Sequence, residues 1–266
     1  MIIRCLEACR PRLGWGGYLA RVVAVATLLP LLTVKGRAAE TMDQAIGRFS
    51  NHLLLLWQKD PELSKLPPPQ IIANVSADTK VYGGCAEIVA NRVRFEVGGT
   101  SYCPGTNTIF AVVDQLRPLY EALGPVAIGY ALAHEYGHYI QTMFQIKGDA
   151  KLLELQADCL AGAILGQNAE AVGIRQADVA AIAQSAYAVG DSTHGTGDQR
   201  SFAVYSGLGQ SAELSCSLPD MAKLANNQVR DPRFGSILSL RSGGGVPITY
   251  APRGPHLRTI SGSLGL

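Results

Sequence analysis

The feature that most constrains the fold is a pair of histidines, His134 and His138, inside a long apolar segment. That segment covers residues 125–145 and places apolar residues at helical spacing. Residues four apart on a helix project from one face, so both imidazoles can bind the same metal ion. Glu135 follows the first histidine, where its carboxylate can accept a proton from a water activated by the metal. The sequence therefore predicts a buried helix that carries a metal site and a general base.

A third metal ligand is predicted on the next helix, at residues 150–166. Catalytic zinc usually takes three protein ligands and one water, so two histidines leave it one ligand short. Glu154 and Asp158 are again four residues apart, and we predict that Glu154 completes a site for one zinc ion per chain. Asp158 is predicted to accept a hydrogen bond from the second ring nitrogen of a zinc-bound histidine. Gly137 allows the two helix backbones to approach closely. The alternative is an ordinary acid pair on the surface of an amphipathic helix.

Residue periodicity predicts an α+β fold in which a small β-sheet precedes a helical core that holds the zinc site. A first helix is expected at 41–57, and strands are expected at 70–75, 91–97 and 107–113. Four further helices are expected at 125–145, 150–166, 176–189 and 198–214. An extended substrate can pair with the edge of strand 107–113, because peptide recognition often adds a strand to a sheet.

Composition divides the chain into four segments, the first of which resembles an export signal. They are a leader at 1–38, a helical segment at 39–66, the zinc-site domain at 67–218 and a loosely structured tail at 219–266. In the leader, the apolar residues 22–34 follow Arg21, and the small residues Gly36 and Ala38 come next. This order is typical of a signal peptide cleaved after Ala38. A retained membrane anchor and a buried core helix are the alternatives.

The distribution of charge argues against nucleic-acid binding. The chain has 23 Lys and Arg against 21 Asp and Glu, but six of the basic residues and one of the acidic ones lie in residues 1–38. The remainder carries 17 basic and 20 acidic residues, so a nucleic-acid partner has no compositional support. No run of eighteen uncharged apolar residues occurs, which argues against a protein with several membrane spans.

Four cysteines follow the leader, and an even number is typical of disulfides in an exported chain. Cys85 and Cys103 flank a predicted strand and are expected to pair. Cys159 and Cys216 then pair by elimination. The alternative is that all four are isolated small residues of the core.

Four sequence blocks together resemble the neutral zinc metallopeptidases of bacteria. The blocks are Ser101-Tyr-Cys-Pro104, Ala133-His-Glu-Tyr-Gly-His-Tyr-Ile-Gln141, Glu154-Leu-Gln-Ala-Asp-Cys-Leu-Ala-Gly162 and His194-Gly-Thr-Gly-Asp-Gln-Arg200. The resemblance covers about residues 65–215. It implies a metallopeptidase-like fold, with zinc bound by two histidines and a glutamate and with a second glutamate as general base. In this sequence those positions are His134, His138, Glu154 and Glu135.

The block that begins at His194 predicts a functional loop. His194 is the only histidine between the zinc motif and the tail, and we predict that it donates a hydrogen bond to the oxyanion that develops during hydrolysis. Arg200 is predicted to hold the loop by pairing with a carboxylate, and Asp198 to cap the helix that follows. The alternative is a solvated turn with no catalytic part.

The function expected from these features is that of an exported zinc-dependent peptidase, periplasmic or secreted, acting on a peptide or protein substrate. Two alternatives stay open. The first is an exported zinc-binding interaction module without turnover, although such a module has no use for Glu135 as a base. The second is a hydrolase of cell-wall peptide amides, which the same chemistry permits.

Overall fold

The computed structural model describes residues 40–80, 97–167, 169–211 and 213–234, together with the backbone of 87–89 and 92–94. Within these residues the fold is mixed α+β, with a small sheet followed by a helical core, as the sequence predicts. The predicted leader, including residues 22–34, and Cys85 lie outside the described residues. None of the described helices combines the length and the apolar character needed to cross a lipid bilayer.

Along the described chain most strands precede most helices, so strands and helices do not alternate regularly. The strands are β1 (Gln70–Val75), β2 (Glu87–Val89), β3 (Arg92–Arg94), β4 (Ser101–Cys103) and β5 (Thr108–Val112). The helices are α1 (Met42–Lys59), α2 (Val113–Leu123), α3 (Pro125–Met143), α4 (Ala150–Gln167), α5 (Asp178–Ala188), α6 (Gly197–Gly207) and α7 (Leu218–Ala225). A short 3₁₀ helix, Leu63–Lys65, lies between α1 and β1.

The larger sheet has the strand order β1–β5–β4, with β1 parallel to β5 and β4 antiparallel to it. Tyr102 of β4 is paired with Ile109 of β5. Because β5 is the central strand, both of its edges are occupied. The prediction that a substrate pairs with the edge of strand 107–113 is therefore wrong, and within the described residues β4 is the outer strand on that side. Strands β2 and β3 form a separate antiparallel pair.

Helix α3 lies at the centre of the core and packs against α1, α2, α4 and α5. Most of its residues are buried, including apolar residues on every side of the helix. A helix that is apolar all round is stable only when other elements cover it on all sides. The polar residues His134 and Glu135 are therefore held inside the protein, where their orientation is restricted.

Helices α2 and α6 differ from the sequence prediction. Helix α2 was not expected, and it contains Pro118, a residue that disfavours the interior of a helix. Helix α6 ends at Gly207 and not at 214, since Gly209 adopts the left-handed conformation, with φ of 77°, that stops a helix. Its N-cap is Thr196, which forms a capping box with Gln199, so the prediction of Asp198 as the cap is wrong.

The segment predicted as a loosely structured tail begins with a packed helix. Ser217 caps α7 and Pro219 lies in its first turn, both of which favour a helix start. Met221 and Leu224 are buried against the core. Eight residues give too short a periodic pattern to separate from the proline- and glycine-containing sequence that follows, which explains the error.

Helix α4 is held by two close backbone contacts and a disulfide. A Cβ on Gly137 of α3 would lie 2.9 Å from the Cα of Ala157, so the expected close approach of α3 and α4 is confirmed. On its other side, Gly162 contacts the backbone of α6. The predicted disulfide between Cys159 and Cys216 is confirmed and joins α4 to the segment before α7. Cys103 is also disulfide-bonded, and Cys85, its predicted partner, lies outside the described residues.

The contact at Gly162 predicts a loss of stability when a methyl group is added. In Gly162→Ala the new Cβ meets the Val204 carbonyl and lies 2.9 Å from the Leu208 amide nitrogen, so α4 and α6 must separate. We expect the free energy of unfolding to fall by about 1–3 kcal/mol despite the better helix propensity of alanine. Urea denaturation measures this change.

The matched control is Gly47→Ala in α1, where nothing lies within 4 Å of the added Cβ. This variant is expected to gain about 0.5–1 kcal/mol from helix propensity alone. If the two substitutions change the free energy of unfolding equally, the close contact between α4 and α6 does not disfavour a side chain at position 162.

Candidate metal centre and surrounding site

An open cavity of about 560 Å³ lies beside the middle of α3 and α4. Ser101 and Tyr102 of β4 line one part of it, and the loop before α6 lines another. Six residues predicted from the sequence line this cavity: His134, Glu135, His138, Glu154, His194 and Arg200. Asp158, the seventh, is fully buried and hydrogen-bonded to His134.

Three potential ligand atoms converge at the base of this cavity. The Nε2 atoms of His134 and His138 are 3.2 Å apart. The carboxylate of Glu154 lies 3.2 Å from Nε2 of His134 and 3.5 Å from Nε2 of His138. Among the described residues, this group can hold a metal ion. The closeness of α3 and α4 at Gly137 brings Glu154 within reach of both histidines.

Hydrogen bonds at the other ring nitrogens determine which atom of each histidine faces the centre. Nδ1 of His134 lies 2.8 Å from Oδ1 of Asp158. Nδ1 of His138 lies 2.8 Å from the side-chain oxygen of Gln141. Both partners are acceptors, so each Nδ1 carries the hydrogen, and in the neutral ring each Nε2 has a lone pair. The lone pairs of both rings thus point toward the Glu154 carboxylate.

The electrostatics of the three converging groups favour a bound cation. Burial by itself lowers the pKa of His134, but the charge and hydrogen bonds of Asp158 and Glu154 raise it to about 10. Burial by itself raises the pKa of Glu154, but the hydrogen bonds that both rings donate when Nε2 also carries a hydrogen, together with the charges of those rings, bring it well below its usual range. Positive charge is therefore strongly stabilised at this point of the cavity, whether it is carried by protons or by a metal ion.

Asp158 joins three helices through its carboxylate. Oδ1 accepts hydrogen bonds from Tyr130 at 2.7 Å, His134 at 2.8 Å and the Arg200 guanidinium at 3.1 Å. Oδ2 accepts a second bond from Nε of Arg200 at 2.7 Å. The bidentate pair with Arg200 helps to keep the pKa of Asp158 below its usual value although burial opposes this. Arg200 also donates to the carbonyl of Val189, which precedes the loop that contains His194.

Glu135 is buried beside the three converging groups, and its carboxylate accepts a 2.8 Å hydrogen bond from the backbone amide of Tyr102. Burial raises the pKa of Glu135, although the neighbouring histidines oppose this. A carboxylate with a raised pKa binds a proton more readily, and this is the property that a general base requires. Strand β4 therefore fixes the orientation of the predicted base.

The loop before α6 carries His194 at the edge of the same cavity. The Asp191 carboxylate accepts bonds from the backbone amides of Thr193 and His194 and lies 2.7 Å from Nδ1 of His194. These bonds lower the pKa of Asp191. Asp191 thus orients the exposed imidazole through Nδ1 and leaves Nε2 available to another group. Asp198 lies in the first turn of α6.

The sequence analysis missed Tyr130, Gln141 and Tyr102. Tyr130 comes four residues before His134 and Gln141 three residues after His138, so helical spacing alone would have placed each of them near one of the two histidines. A polar residue within an otherwise apolar helix was the signal available for Gln141. The contact of Tyr102 uses its backbone amide, and no side-chain pattern reports such a bond.

Comparisons with known proteins do not assign a function. No protein-family model matches the chain, and no solved structure matches it. Uncharacterized protein YpfJ of Escherichia coli K12 is 29% identical to the matched part, which covers 38% of this chain and 47% of that protein. Uncharacterized protein Rv2575 of Mycobacterium tuberculosis H37Rv is 35% identical, over 24% of this chain and 27% of that protein.

The chain therefore spans less than half the length of these relatives. Their names give no activity. The resemblance to bacterial zinc metallopeptidases accordingly stays a prediction.

The contacts of Asp158 predict a combined loss of stability and metal affinity in Asp158→Asn. The amide cannot replace a carboxylate that accepts four hydrogen bonds, and the buried charge of Arg200 loses its principal partner. We expect the free energy of unfolding to fall by about 3–5 kcal/mol and the affinity for zinc to fall about 10–100-fold. Urea denaturation and calorimetric titration with zinc measure the two effects.

The control is Glu62→Gln, which removes an exposed pair between Glu62 and Lys65. It is expected to change stability by less than about 1 kcal/mol and to leave zinc affinity unchanged. Wild-type zinc affinity in a folded Asp158→Asn protein would contradict the role given to the bond between Asp158 and His134.

Proposed function

We propose that this protein is an exported zinc-dependent peptidase, with His134, His138 and Glu154 as zinc ligands and Glu135 as general base. The observation that carries the proposal is the convergence of three electron-pair donors next to a buried carboxylate at the base of an open cavity. A structural metal site needs no such carboxylate, whereas hydrolysis by an activated water does.

The spacing and type of the donors fit zinc. Bonds of about 2.0–2.1 Å to a tetrahedral zinc ion place its ligand atoms about 3.3–3.4 Å from one another. Here the two Nε2 atoms are 3.2 Å apart, Oε2 of Glu154 lies 3.2 Å from Nε2 of His134, and Oε1 of Glu154 lies 3.5 Å from Nε2 of His138, so each imidazole faces a different oxygen of the carboxylate. Two imidazoles and one carboxylate suit zinc, whereas calcium and magnesium prefer oxygen ligands. Three ligands leave the fourth position for water or substrate, as in catalytic sites.

The charges around the site also fit a divalent cation. Glu135, Glu154 and Asp158 supply three carboxylates, and Arg200 supplies one guanidinium, which leaves two negative charges when both histidines are neutral. Uncompensated charge in a protein interior is costly, and a divalent ion balances this excess.

Bound zinc supplies Lewis-acid chemistry, which polarises a carbonyl group and lowers the pKa of a water. The remaining steps belong to residues of the chain. Glu135 accepts a proton from the attacking water and later delivers it to the leaving amine. The amide of Tyr102 holds the Glu135 carboxylate in place. Asp191 holds Nδ1 of His194, and in the imidazolium form, which carries a hydrogen on both nitrogens, Nε2 of His194 is placed to donate to the developing oxyanion.

The geometry of the sheet supports a peptide as the substrate. In the part of the chain that the structure describes, β4 is the outer strand beside the cavity, and its residues Ser101 and Tyr102 line the cavity. An extended peptide that adds to this strand would run past Glu135, which is hydrogen-bonded to the same strand.

An exported location is supported by the disulfide between Cys159 and Cys216, because such bonds persist mainly in oxidising compartments. The leader sequence is consistent with export either by cleavage after Ala38 or by retention of residues 22–34 as a membrane anchor.

The substitution Glu135→Gln tests the proposed function. Glutamine keeps the shape of the side chain but cannot serve as a base, so we expect full zinc content and loss of nearly all peptide cleavage. Metal analysis of the purified protein and cleavage of a peptide library that includes cell-wall peptides measure the two properties. His138→Ala is the matched variant, in which zinc content should also be lost.

Two outcomes would refute the proposal. Full zinc occupancy in the His138→Ala protein would refute the ligand assignment. Zinc binding with no cleavage by the wild-type protein would favour an interaction module.

The loop that carries His194 predicts a separate effect on turnover. His194→Ala removes the proposed oxyanion donor and is expected to lower kcat about 10²–10³-fold while zinc content stays unchanged. Asp191→Asn retains the imidazole but weakens the bond that orients it, so a smaller decrease in kcat is expected. An unchanged kcat in folded, zinc-loaded His194→Ala protein would leave the loop with a structural role only.

A further inference from the structure

Two buried glutamines connect His138 to a distant part of the backbone. Gln141 lies on α3 and Gln156 on α4, and their exposed fractions are only 4% and 2%. Gln141 contacts Nδ1 of His138 through its side-chain oxygen at 2.8 Å. Its side-chain nitrogen donates to the Leu153 carbonyl at 2.7 Å and to the side-chain oxygen of Gln156 at 3.2 Å.

The orientation of both amides follows from the groups at the far end. The side-chain nitrogen of Gln156 donates to the Cys216 carbonyl at 2.9 Å. A carbonyl oxygen can only accept, so this bond turns the oxygen of Gln156 toward Gln141. The Leu153 carbonyl imposes the same condition on Gln141. The oxygen of Gln141 must therefore face His138, and Nδ1 of that ring must carry the hydrogen.

We infer that Gln141 and Gln156 are positioning residues that select the tautomer of His138. These two side chains, with their bonds to the Cys216 carbonyl at one end and to His138 at the other, form a hydrogen-bonded relay. The relay keeps the hydrogen on Nδ1 of His138 and so presents the lone pair of Nε2 toward His134 and Glu154. This inference rests on the proposed function, because it concerns how one ligand of the proposed zinc site is prepared for the metal. Gln156 does not line the cavity, and Gln141, which does, is assigned its role through the His138 ring.

The disulfide gives the relay a fixed end. Cys216 follows a segment without regular secondary structure, and its carbonyl is held against α4 because its side chain is bonded to Cys159. Both cysteines are buried. The relay therefore runs from a covalent anchor through α4 to a proposed metal ligand on α3, with Cys216, Gln156 and Gln141 buried and His138 half-buried at the cavity.

The test uses the metal-free protein and the substitution Gln141→Met, which keeps the volume of the side chain but removes its acceptor. The ¹⁵N chemical shifts of the imidazole nitrogens report which one carries the hydrogen. We expect the wild type to have His138 protonated on Nδ1 and Gln141→Met to shift it toward the Nε2-protonated form. Zinc affinity, measured by competition with a chelator, is expected to fall about 10–100-fold.

Three further variants separate positioning from stability. Gln141→Glu retains an acceptor for His138 and is expected to keep the hydrogen on Nδ1. Gln156→Met removes one of the two partners of the Gln141 nitrogen, so a mixture of tautomers and a smaller loss of zinc affinity are expected. Gln210→Met replaces another buried glutamine, one that lies outside the relay, and should leave both properties unchanged.

The outcomes distinguish this inference from the proposed function. If the ¹⁵N chemical shifts of His138 in folded Gln141→Met are those of the wild type, the relay is overturned, even if that variant binds zinc. If Gln141→Met does not fold, the other two variants decide. The relay is overturned if the ¹⁵N chemical shifts of His138 in Gln156→Met are those of the wild type and His138 in Gln141→Glu carries its hydrogen on Nε2. A tautomer change in a protein that binds no zinc would uphold the relay and refute the proposed zinc site.

Discussion

The site depends on the hydrogen bonds that the carboxylate of Asp158 accepts. It is fully buried, yet it accepts hydrogen bonds from Tyr130 and His134 of α3 and from Arg200 of α6. A buried charge without partners would be costly, so the three helices are stable together only when these groups meet. The contact that fixes the His134 ring therefore also fixes α6 and, through the Val189 carbonyl, the start of the loop that carries His194.

Much of the fold could be predicted from the sequence because its main helices have long apolar patterns. Helices α3 and α4 begin where they were predicted and end within two residues of the prediction. Errors occurred where a local feature was outweighed by tertiary packing. Pro118 obscured α2, and the short pattern of α7 was hidden by the glycines and prolines that follow it. The central position of β5 could not be predicted, because strand order depends on long-range pairing that no single segment encodes.

The three residues that can hold a metal ion could be predicted because helical spacing converts sequence distance into a common face, and the structure brings Glu154 to within 3.5 Å of both histidines. The partner of Arg200 could not be predicted in the same way. Several carboxylates were available, and only the packing of α6 on α4 selects Asp158. Contacts made by the backbone, such as the amide of Tyr102 on Glu135, leave no residue pattern at all.

The two histidines are supported in chemically different ways, and the charge of the site explains why. His134 donates to a carboxylate that Arg200 neutralises, whereas His138 donates to the amide of Gln141. A second buried carboxylate in place of Gln141 would have no cation of its own and would leave the site with more negative charge than one divalent ion balances. An amide provides the same acceptor without charge, but it can rotate and present its nitrogen instead. The bonds to Leu153 and Gln156 oppose that rotation, so a neutral group can orient the ring without adding charge to the site.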